Sequence, residues 1–406
     1  MKLVPVLCLM LVSAQAATLR HHNSPETKKK IKEPPVRATE APSSRDFTFD
    51  LYRALVANSS GQNVFFSPLS ISMSLAMLSL GAGSNTKEQI LKGLGHSLQS
   101  SSEEELHKGF QKLLQELNQP TKGFQLNLGS ALFTDPVVSI KEDFLRTMKT
   151  MYQADVFPTN FKNPEGARKQ INDYVAKQTK DKIVNLIQNL GSNHVMVMVN
   201  YIFFKAKWQT AFSLENTRER DFHVTPETTV KVPMMSREDL YYYLLDRNLF
   251  CKVVGVPYQG NATAVLILPN QGKMEEVERG LNGKILRNWL QTFIKRKLEL
   301  FLPKFSIEGS YQLEKILPRM GISEVFTSHA NLSRLSNHSN IEISEMVHRA
   351  VVEVDEAGTR AAAVTKTNFM FRSARRVSQM IMFDRPFLLT IVENKNILFL
   401  GKVTKP

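Results

Sequence analysis

The chain is nearly free of cysteine, since Cys8 and Cys251 are the only two in 406 residues. Cys8 lies in the short apolar run 3–12, which follows Lys2 and precedes the small-x-small sequence 14–16 (AQA). This pattern is typical of a secretory signal peptide over residues 1–16, with a buried N-terminal helix as the alternative, so we expect a secreted, extracellular protein. Removal of the peptide leaves Cys251 without a partner, and the fold then depends on its hydrophobic core rather than on disulfides.

The sequence also lacks the signatures of common catalytic sites. It contains no Gly-x-Ser-x-Gly elbow, His-Glu-x-x-His pair, phosphate-binding loop or dinucleotide-binding glycine pattern. Its nine histidines do not fall at metal-ligand spacings. Cys251 lies in the apolar run 250–254, which favours a buried structural thiol over a catalytic one. We therefore expect neither an enzyme nor a metal or other cofactor.

Basic residues, in contrast, are abundant. The 52 Lys and Arg outnumber the 38 Asp and Glu, for a formal net charge of +14, and such an excess favours a polyanionic partner. Residues 17–45 contain a run of three lysines at 28–30 and almost no periodic apolar pattern, so we expect a flexible basic tail there. Residues 46–406 show no linker and no internal repeat, which predicts a single domain.

Hydrophobic periodicity indicates the fold class. Apolar spacing of three and four residues predicts helices over residues 47–58, 68–80, 104–117 and 164–178. Short runs of apolar residues predict strands over 195–204, 264–268, 298–302, 350–354 and 397–403. Helices dominate the first half and strands the second, so we expect an α+β protein.

Residues 356–373 (EAGTRAAAVTKTNFMFRS) show an unusual pattern. Every second residue over 359–369 is small or apolar, whereas the intervening set contains both charged residues, Arg360 and Lys366. Segregation with period two is typical of a strand with one buried face, yet alanine is a poor strand former and residues 371–373 (FRS) offer a protease-cleavable bond. The pattern alone leaves two interpretations open, an exposed loop that can become a strand and an ordinary Ala-rich helix or loop.

Ordered motifs across essentially all of residues 46–406 resemble those of one known protein family. Glu356-x-Gly358-Thr359-x-Ala361-Ala362-Ala363 resembles the hinge of inhibitory serpins, and residues 199–208 (VNYIFFKAKW) resemble the family's strand-and-turn signature. The other matching segments are 63–71 (NVFFSPLSI), 232–235 (VPMM), 302–305 (LPKF), 384–387 (DRPF) and 397–403. The resemblance implies the serpin fold, in which helices pack around a large mixed central sheet plus smaller sheets and a reactive-centre loop is exposed.

The resemblance also implies a mechanism. The loop is bait, a serine protease forms an acyl-enzyme at Arg372, and the cut loop inserts as a new strand and traps the protease. The bond Arg372–Ser373 leaves fourteen residues from Thr359 through Arg372, as the family pattern requires.

Arg372 implies trypsin-like targets, namely enzymes of coagulation, protein C, kallikreins, plasminogen activators or acrosin-like proteases. Phe371 disfavours proteases with a tight neighbouring subsite, and Arg375 and Arg376 are rival cleavage sites. The implied hinge consists of Glu356, Gly358, Thr359, Ala361, Ala362 and Ala363.

Four residues match the family's central polar cluster, where the sheet opens, and we expect them to serve in structural hydrogen bonds: Ser67, Ser70, Asn200 and His348.

Two positions depart from the family pattern. Asp181 stands where a glycine is usual after Thr179-Lys180, which puts that turn in doubt. Asn331 replaces the usual acid in the motif Ala330-x-x-Ser333 and creates a sequon, so the contact of that side chain is open.

Residues 284–297 (KILRNWLQTFIKRK) predict a basic amphipathic helix. At 100° per residue its apolar face consists of Ile285, Leu286, Trp289, Leu290 and Phe293. The absence of acids before Glu299 favours an anion-binding surface over a merely solvated face, and secretion favours a heparin-like glycosaminoglycan over nucleic acid as modulator. The expected contacts are five basic residues: Lys284, Arg287, Lys295, Arg296 and Lys297. The first three fall within about 80° of one another on the helix, and the last two extend the charge past the helix end.

Four Asn-x-Ser/Thr sequons are candidate glycosylation sites: Asn58, Asn261, Asn331 and Asn337. We expect a monomeric inhibitor. The alternative is a non-inhibitory serpin that carries a small apolar ligand, against which the small inner face of the hinge argues. A lipid or apolar ligand as a second activity stays open.

Overall fold

The computed structural model describes residues 44–406 except for 58, 60, 96–102, 120–123 and 358–377. The described residues belong to one compact unit, Ala38–Pro406, and its first helix begins two residues before the expected domain start. The predicted signal peptide, most of the tail, Asn58 and the hinge and bait residues from Gly358 onwards lie outside the described part. None of its helices has the length and hydropathy that crossing a bilayer requires.

The four predicted helices are all present, with ends shifted by a few residues. They correspond to the first, second, fourth and sixth of eight α-helices in the described residues. These are α1 (Ser44–Val56), α2 (Pro68–Gly81), α3 (Ser84–Gly93), α4 (Glu103–Leu117), α5 (Glu142–Tyr152), α6 (Pro164–Thr179), α7 (Met274–Gly280) and α8 (Gly283–Thr292).

The five predicted strands are also present, among fourteen in the described residues. The first seven are β1 (Val64–Phe66), β2 (Phe124–Thr134), β3 (Asp155–Pro158), β4 (Met196–Ala206), β5 (Arg218–His223), β6 (Thr229–Asp246) and β7 (Cys251–Pro257). The others are β8 (Ala262–Pro269), β9 (Ile294–Pro303), β10 (Phe305–Gln312), β11 (Glu345–Val354), β12 (Gln379–Met382), β13 (Phe387–Glu393) and β14 (Asn396–Val403). The α+β class is confirmed.

The strands form two sheets. A mixed five-stranded sheet has the order β10-β11-β4-β2-β3, in which β11 is parallel to β4 and β2 is parallel to β3. A nine-stranded sheet has the order β1-β14-β13-β8-β7-β6-β9-β12, and β5 pairs with β6. The long strand β6 pairs with β5, β9 and β7 over successive parts of its length.

Helix α2 lies between the two sheets and contacts β2, β4 and β14. Its residues are buried on every side except at Leu80, as expected for a helix that is apolar all round. It starts at Pro68 behind the N-cap Ser67, whose hydroxyl accepts from the Ser70 amide. Pro at the first helical position and Ser at the N-cap are strong start signals, so this local sequence fixes where the helix enters the core.

The helix predicted over residues 284–297 is wrong in its last five residues. Helix α8 ends at Thr292 because Phe293 adopts an extended conformation (φ −52°, ψ 133°), and Lys295 and the cations after it lie on β9. Further along the same strand Leu298, Leu300 and Leu302 are buried at period two. Strand β9 pairs with β6 without interruption from Ile294 onwards. Pairing with a distant strand therefore overrides the local helical pattern of residues 294–297.

Candidate functional site

The parallel junction of β4 and β11 is the central feature of the five-stranded sheet. Eight residue pairs join the two strands, from Glu345 opposite Val197 to Val352 opposite Phe204, and His348 stands opposite Asn200. Parallel pairing is slightly less stable per residue than antiparallel pairing. A strand formed by the residues after β11 and inserted at this junction would reverse direction, so it would run antiparallel to both neighbours.

The structure brings the four residues of the expected polar cluster together at this junction. The Ser67 amide donates to His348 Nε2 at 3.0 Å, and His348 Nδ1 lies 2.6 Å from Asn200 Oδ1. The Ser70 hydroxyl donates to the same Asn200 oxygen at 2.8 Å, and Asn200 Nδ2 returns a bond to the Ser70 carbonyl at 3.1 Å. All four residues are fully buried, so these bonds satisfy polar groups that would otherwise be costly.

The hydrogen bonds fix the tautomer of His348. Its Nε2 accepts from a backbone amide, so the proton of the neutral ring lies on Nδ1 and is donated to Asn200. Burial lowers the pKa of His348 to about 3, because a charged imidazolium would lose its hydration. The ring is therefore neutral at physiological pH and bridges α2 to both strands of the junction.

Sequence reasoning missed three further members of this cluster. The Ser74 and Ser130 hydroxyls lie 2.7 Å apart, and Asn200 Nδ2 donates to Ser130 at 3.0 Å. The Tyr311 ring stacks on His348, with 6.5 Å between centroids. Ser74 was accessible to sequence reasoning because it follows Ser70 by one helical turn, whereas the other two depend on strand pairing that no local pattern reveals.

The first residues after β11 are held at one end of the junction. The amides of Trp208 and Phe212 donate to the carbonyls of Ala357 and Glu356 at 3.1 and 2.7 Å, and Trp208 Nε1 donates to the Asp355 carbonyl at 2.8 Å. Trp208 of the resembled signature thus anchors the chain at the start of the hinge. The hinge residues from Gly358 to Ala363 lie outside the described residues.

The side chain of Glu356 is part of the same anchor. Its carboxylate accepts from Thr217 Oγ1 at 2.9 Å and from Lys304 Nζ at 3.0 Å. Burial opposes its ionisation, but the hydrogen bonds from its own backbone, Lys304 and Thr217 outweigh this and lower the pKa of Glu356. A charged carboxylate is therefore built into the base of the loop.

The chain resumes in the described part at Ser378, beside the nine-stranded sheet. Strand β12 pairs with β9 in parallel, with Gln379 opposite Leu298, and Ser378 Oγ donates to Glu238 on β6 at 2.7 Å. The twenty residues 358–377, which include Phe371, Arg372 and Ser373, therefore connect one end of the five-stranded sheet to an outer strand of the other sheet.

The five cations of the expected polyanion site lie on two elements. Lys284 and Arg287 are exposed on α8, whereas Lys295, Arg296 and Lys297 are exposed at the start of β9. Because neighbours along a strand point to opposite faces, Arg296 lies on the other face from the two lysines. The helical-wheel argument that grouped Lys295 with the helix cations is thus wrong, although the helix and strand cations remain adjacent in sequence.

Contacts on β6 hold the strand cations. Lys295 lies opposite Tyr242, with Nζ 5.5 Å from its ring centroid, and the Arg296 guanidinium lies 5.3 Å from the Tyr243 centroid. Lys297 forms an ion pair with Glu238 at 2.5 Å. The acid that contacts Lys297 comes from another strand, which explains why the local sequence of 284–297 looked free of acids.

The two departures from the family pattern are accommodated locally. Lys180 and Asp181 both adopt left-handed conformations (φ 54° and 59°), and the Asp181 amide donates to the Ala176 carbonyl at 2.8 Å. The turn after α6 thus forms without glycine, since aspartate tolerates this region better than most residues. The Asn331 amide donates to Thr86 Oγ1 at 2.8 Å, and its carboxamide donates to Ser84 Oγ at 3.2 Å.

The remaining candidates from the sequence are the Cys251 thiol, a metal site and the glycosylation sequons. Cys251 is fully buried, and burial raises the pKa of its thiol to about 12, which is unsuited to a nucleophile. Within the described ranges, no three His, Cys, Asp or Glu side chains cluster as metal ligands would. Asn261 and Asn337 are exposed and Asn331 is half-buried.

Comparison with known proteins gives concordant matches. A family model described as Serpin (serine protease inhibitor) matches residues 42–406. The plasma serine protease inhibitor of Homo sapiens, also called protein C inhibitor, is 68% identical over 407 aligned residues, which cover 100% of this chain and 100% of the relative. It is the individual protein that residues 371–375 (FRSAR) and the helix around Trp289 resemble.

Two solved human structures have the same fold. Thyroxine-binding globulin in complex with thyroxine matches with a TM-score of 0.86 and 40% identity, covering 90% of this chain and 98% of the other. Glycosylated kallistatin matches with a TM-score of 0.84 and 45% identity, covering 90% and 97% of the two chains. The expected arrangement of helices around a large mixed sheet is confirmed.

Proposed function

The chain belongs to the serpin family of serine protease inhibitors, and from that premise we propose that it is a secreted inhibitor of trypsin-like proteases that presents Arg372–Ser373 as bait. The observation that carries the proposal is the parallel β4–β11 junction. The chain is anchored at one end of this junction at Ala357, at the start of the hinge. The sheet thus provides a place for a new strand next to the segment that would supply it.

The proposed reaction starts as ordinary proteolysis. The hydroxyl oxygen of the protease serine attacks the carbonyl carbon of Arg372, and the bond to Ser373 breaks. The amine of Ser373 leaves with a proton from the protease histidine, and the ester joins the protease to Arg372. A trypsin-like pocket suits Arg372 because a buried acid there pairs with a guanidinium through two hydrogen bonds.

Insertion of the freed loop then traps the ester. The new strand would gain main-chain hydrogen bonds to both β4 and β11, each worth about 0.5–1.5 kcal/mol net. Opening the junction separates His348 from Asn200, whose direct contact is 2.6 Å. We assign the polar cluster the role of holding the sheet closed until the loop is cut.

We further propose that heparin-like glycosaminoglycan modulates the inhibitor. The support is the group of exposed cations on α8 and at the start of β9, together with the net charge of +14. The same sheet holds Ser378, which follows Arg372 by six residues in the sequence, so we expect a polymer bound there to bring a protease to the bait. Attraction between cations and a sulfated chain raises the local concentration of partners that share it.

The alternative function is a carrier for a small apolar ligand. The likeness to thyroxine-binding globulin, solved with thyroxine, favours keeping this candidate. The small inner face of the hinge argues against it, because a carrier does not need a loop that fits into a sheet.

Incubation with trypsin separates the two functions. An inhibitor forms a covalent complex that survives SDS and contains one protease per chain. A carrier is cleaved without trapping and leaves the protease active. We expect the complex, and its loss when Arg372 is replaced by Ala, with Arg375→Ala as the matched control that retains it.

A further inference from the structure

We propose that Asp246 is a positioning residue of the polyanion site, because it fixes α8 on the sheet so that the helix cations and the strand cations face the same polymer. This inference depends on the polyanion binding proposed above. Asp246 is the last residue of β6 and carries a negative charge beside a surface proposed to bind anions. A negative charge at this place would weaken the binding of an anion, so the contribution of Asp246 must come from its contacts.

Trp289 of α8 and Phe293, the residue that follows the helix, both pack on the sheet. Trp289 Nε1 donates to Asp246 Oδ2 at 2.7 Å, and the Phe293 ring lies 5.9 Å from the Tyr242 centroid. Gly255 leaves room for this contact, because a methyl group there would meet Tyr242 Cβ at 3.0 Å and the Phe293 ring at 3.4 Å. Tyr242 and Asp246 are four residues apart on β6, so they lie on one face of the sheet.

The second carboxylate oxygen of Asp246 fixes the turn after β6. Oδ1 accepts from the amides of Asn248 and Leu249, both at 2.9 Å. Three N–H donors therefore hold the carboxylate, and none of them carries a charge. A carboxylate fixed at both oxygens is a rigid acceptor for Trp289, which is only 1% exposed.

This bond decides where the helix cations stand relative to the strand lysines. Lys295 lies opposite Tyr242 and Lys297 lies opposite Leu240, so both share the face on which α8 packs. A sulfated chain contacts both groups at once only if the helix keeps its position, and a preorganised surface loses less entropy on binding. Without the Trp289–Asp246 bond, the helix loses its polar contact with β6 but keeps apolar contacts such as that of buried Leu286, so the spacing of the two cation groups is less firmly fixed.

Glu238 provides a contrast at the same surface, because it contacts a cation directly. Its ion pair with Lys297 neutralises part of the site, so removing this acid should strengthen polyanion binding. If Asp246 acted only through its charge, its removal would strengthen binding as well. A positioning role predicts the opposite sign.

The test measures heparin affinity by equilibrium titration over a range of salt concentrations for wild type, Asp246→Ala, Trp289→Phe and the control Glu238→Ala. We expect Asp246→Ala and Trp289→Phe to bind about five- to tenfold more weakly, which is less than the full contribution of a hydrogen bond to a charged group, because only the part that positions the cations affects binding. Both should show a shallower salt dependence, since fewer cations engage together. Glu238→Ala should bind more tightly.

Each alternative outcome overturns a different statement. Tighter or unchanged binding by Asp246→Ala overturns the positioning role, as does unchanged binding by Trp289→Phe, which leaves the charge in place. If Asp246→Ala does not fold, Trp289→Phe decides alone. Failure of wild type to bind heparin overturns the polyanion proposal itself, whereas wild-type binding with indifferent variants overturns only the role of Asp246.

Discussion

At the scale of single residues, His348 connects the sheet junction to helix α2. It is fully buried, it is hydrogen bonded at both ring nitrogens, and burial lowers its pKa to about 3. A histidine in an unfolded chain titrates near pH 6.5. Between these two values the unfolded chain therefore binds a proton that the folded protein does not.

The resulting prediction concerns stability against pH. The contribution of neutral His348 is fully present above about pH 6.5 and is lost as the pH falls towards 3, by about 1.4 kcal/mol per pH unit. The free energy of unfolding of wild type should therefore approach that of His348→Gln as the solution is acidified. Urea unfolding of both proteins between pH 7 and pH 4 measures the difference, and a difference that does not change with pH contradicts the buried neutral ring.

Glu393 is the control for this experiment, because it acts in the opposite sense. Burial, and then repulsion by Glu116, raises the pKa of Glu393 to about 7, so its contribution is present below its ordinary pKa and is lost as the pH rises through 7. In wild type this slope partly cancels that of His348. Glu393→Gln should therefore steepen the loss of stability on acidification.

The sequons give a second prediction at this scale. Asn261 and Asn337 are exposed, whereas the carboxamide of Asn331 bonds Ser84 and Ser333. A side-chain carbon at Gly83 would meet Asn331 Oδ1 at 2.9 Å, so this site is crowded. Peptide mass spectrometry of the secreted protein should find glycans on Asn261 and Asn337 and an unmodified Asn331. A fully occupied Asn331 would contradict this assignment.

At the scale of elements, insertion of the loop is the event to test. Thr359→Arg places a charge on the proposed inner face, where burial without a partner costs several kcal/mol. The loop should then insert slowly and the ester should hydrolyse first, which converts an inhibitor into a substrate. Mass spectrometry should show a cut after Arg372 together with free, active protease.

Arg360→Ala is the matched control for this variant, because residue 360 belongs to the opposite set of the alternation. It should trap protease as wild type does. Undiminished trapping by Thr359→Arg would show that the inner-face assignment is wrong.

The junction of α8 and β9 shows where local sequence stops being informative. The apolar spacing around Trp289 predicts the helix correctly, because this signal lies within the helix itself. Lys295 follows the same helical period but lies on a strand, because β6 offers hydrogen-bond partners from Met234 to Tyr243. The partner strand begins more than fifty residues earlier, so no local window contains the deciding information.

At the scale of the whole molecule, the proposed polyanion surface and the bait act independently, and a bound polymer connects them only by holding inhibitor and protease on one chain. Replacing Lys284, Arg287, Lys295, Arg296 and Lys297 by Ala should abolish heparin retention at physiological salt and leave inhibition without heparin nearly unchanged. The basic tail is the competing site, so deletion of residues 17–45 is the control. The surface assignment fails if the tail deletion alone abolishes retention while the five-residue variant elutes as wild type does.

A bridging role also predicts how the rate depends on heparin concentration. Inhibitor and protease meet faster while they share one chain, and they separate onto different chains when heparin is in excess. The inhibition rate should therefore rise and then fall. A rate that rises to a plateau would instead indicate that heparin changes the conformation of the inhibitor.

The overall fold could be predicted from the order of the motifs in the sequence. The four residues Ser67, Ser70, Asn200 and His348 of the polar cluster could be predicted in the same way. The sequence did not reveal Ser130 or Tyr311, because their positions beside His348 depend on the register of β2 and β10. Nor did it reveal Asp246 or Glu238, since each contacts the basic segment from β6. Local patterns predict elements, whereas contacts between distant strands decide the composition of a site.

The identity of the bond that traps the protease tests the central claim most directly. Trypsin is incubated with the inhibitor, the SDS-stable complex is denatured, and the released C-terminal peptide is weighed by mass spectrometry. The account predicts a peptide that begins at Ser373, with the protease serine esterified to Arg372. A peptide that begins after Arg375 or Arg376, or cleavage without any covalent complex, would contradict it.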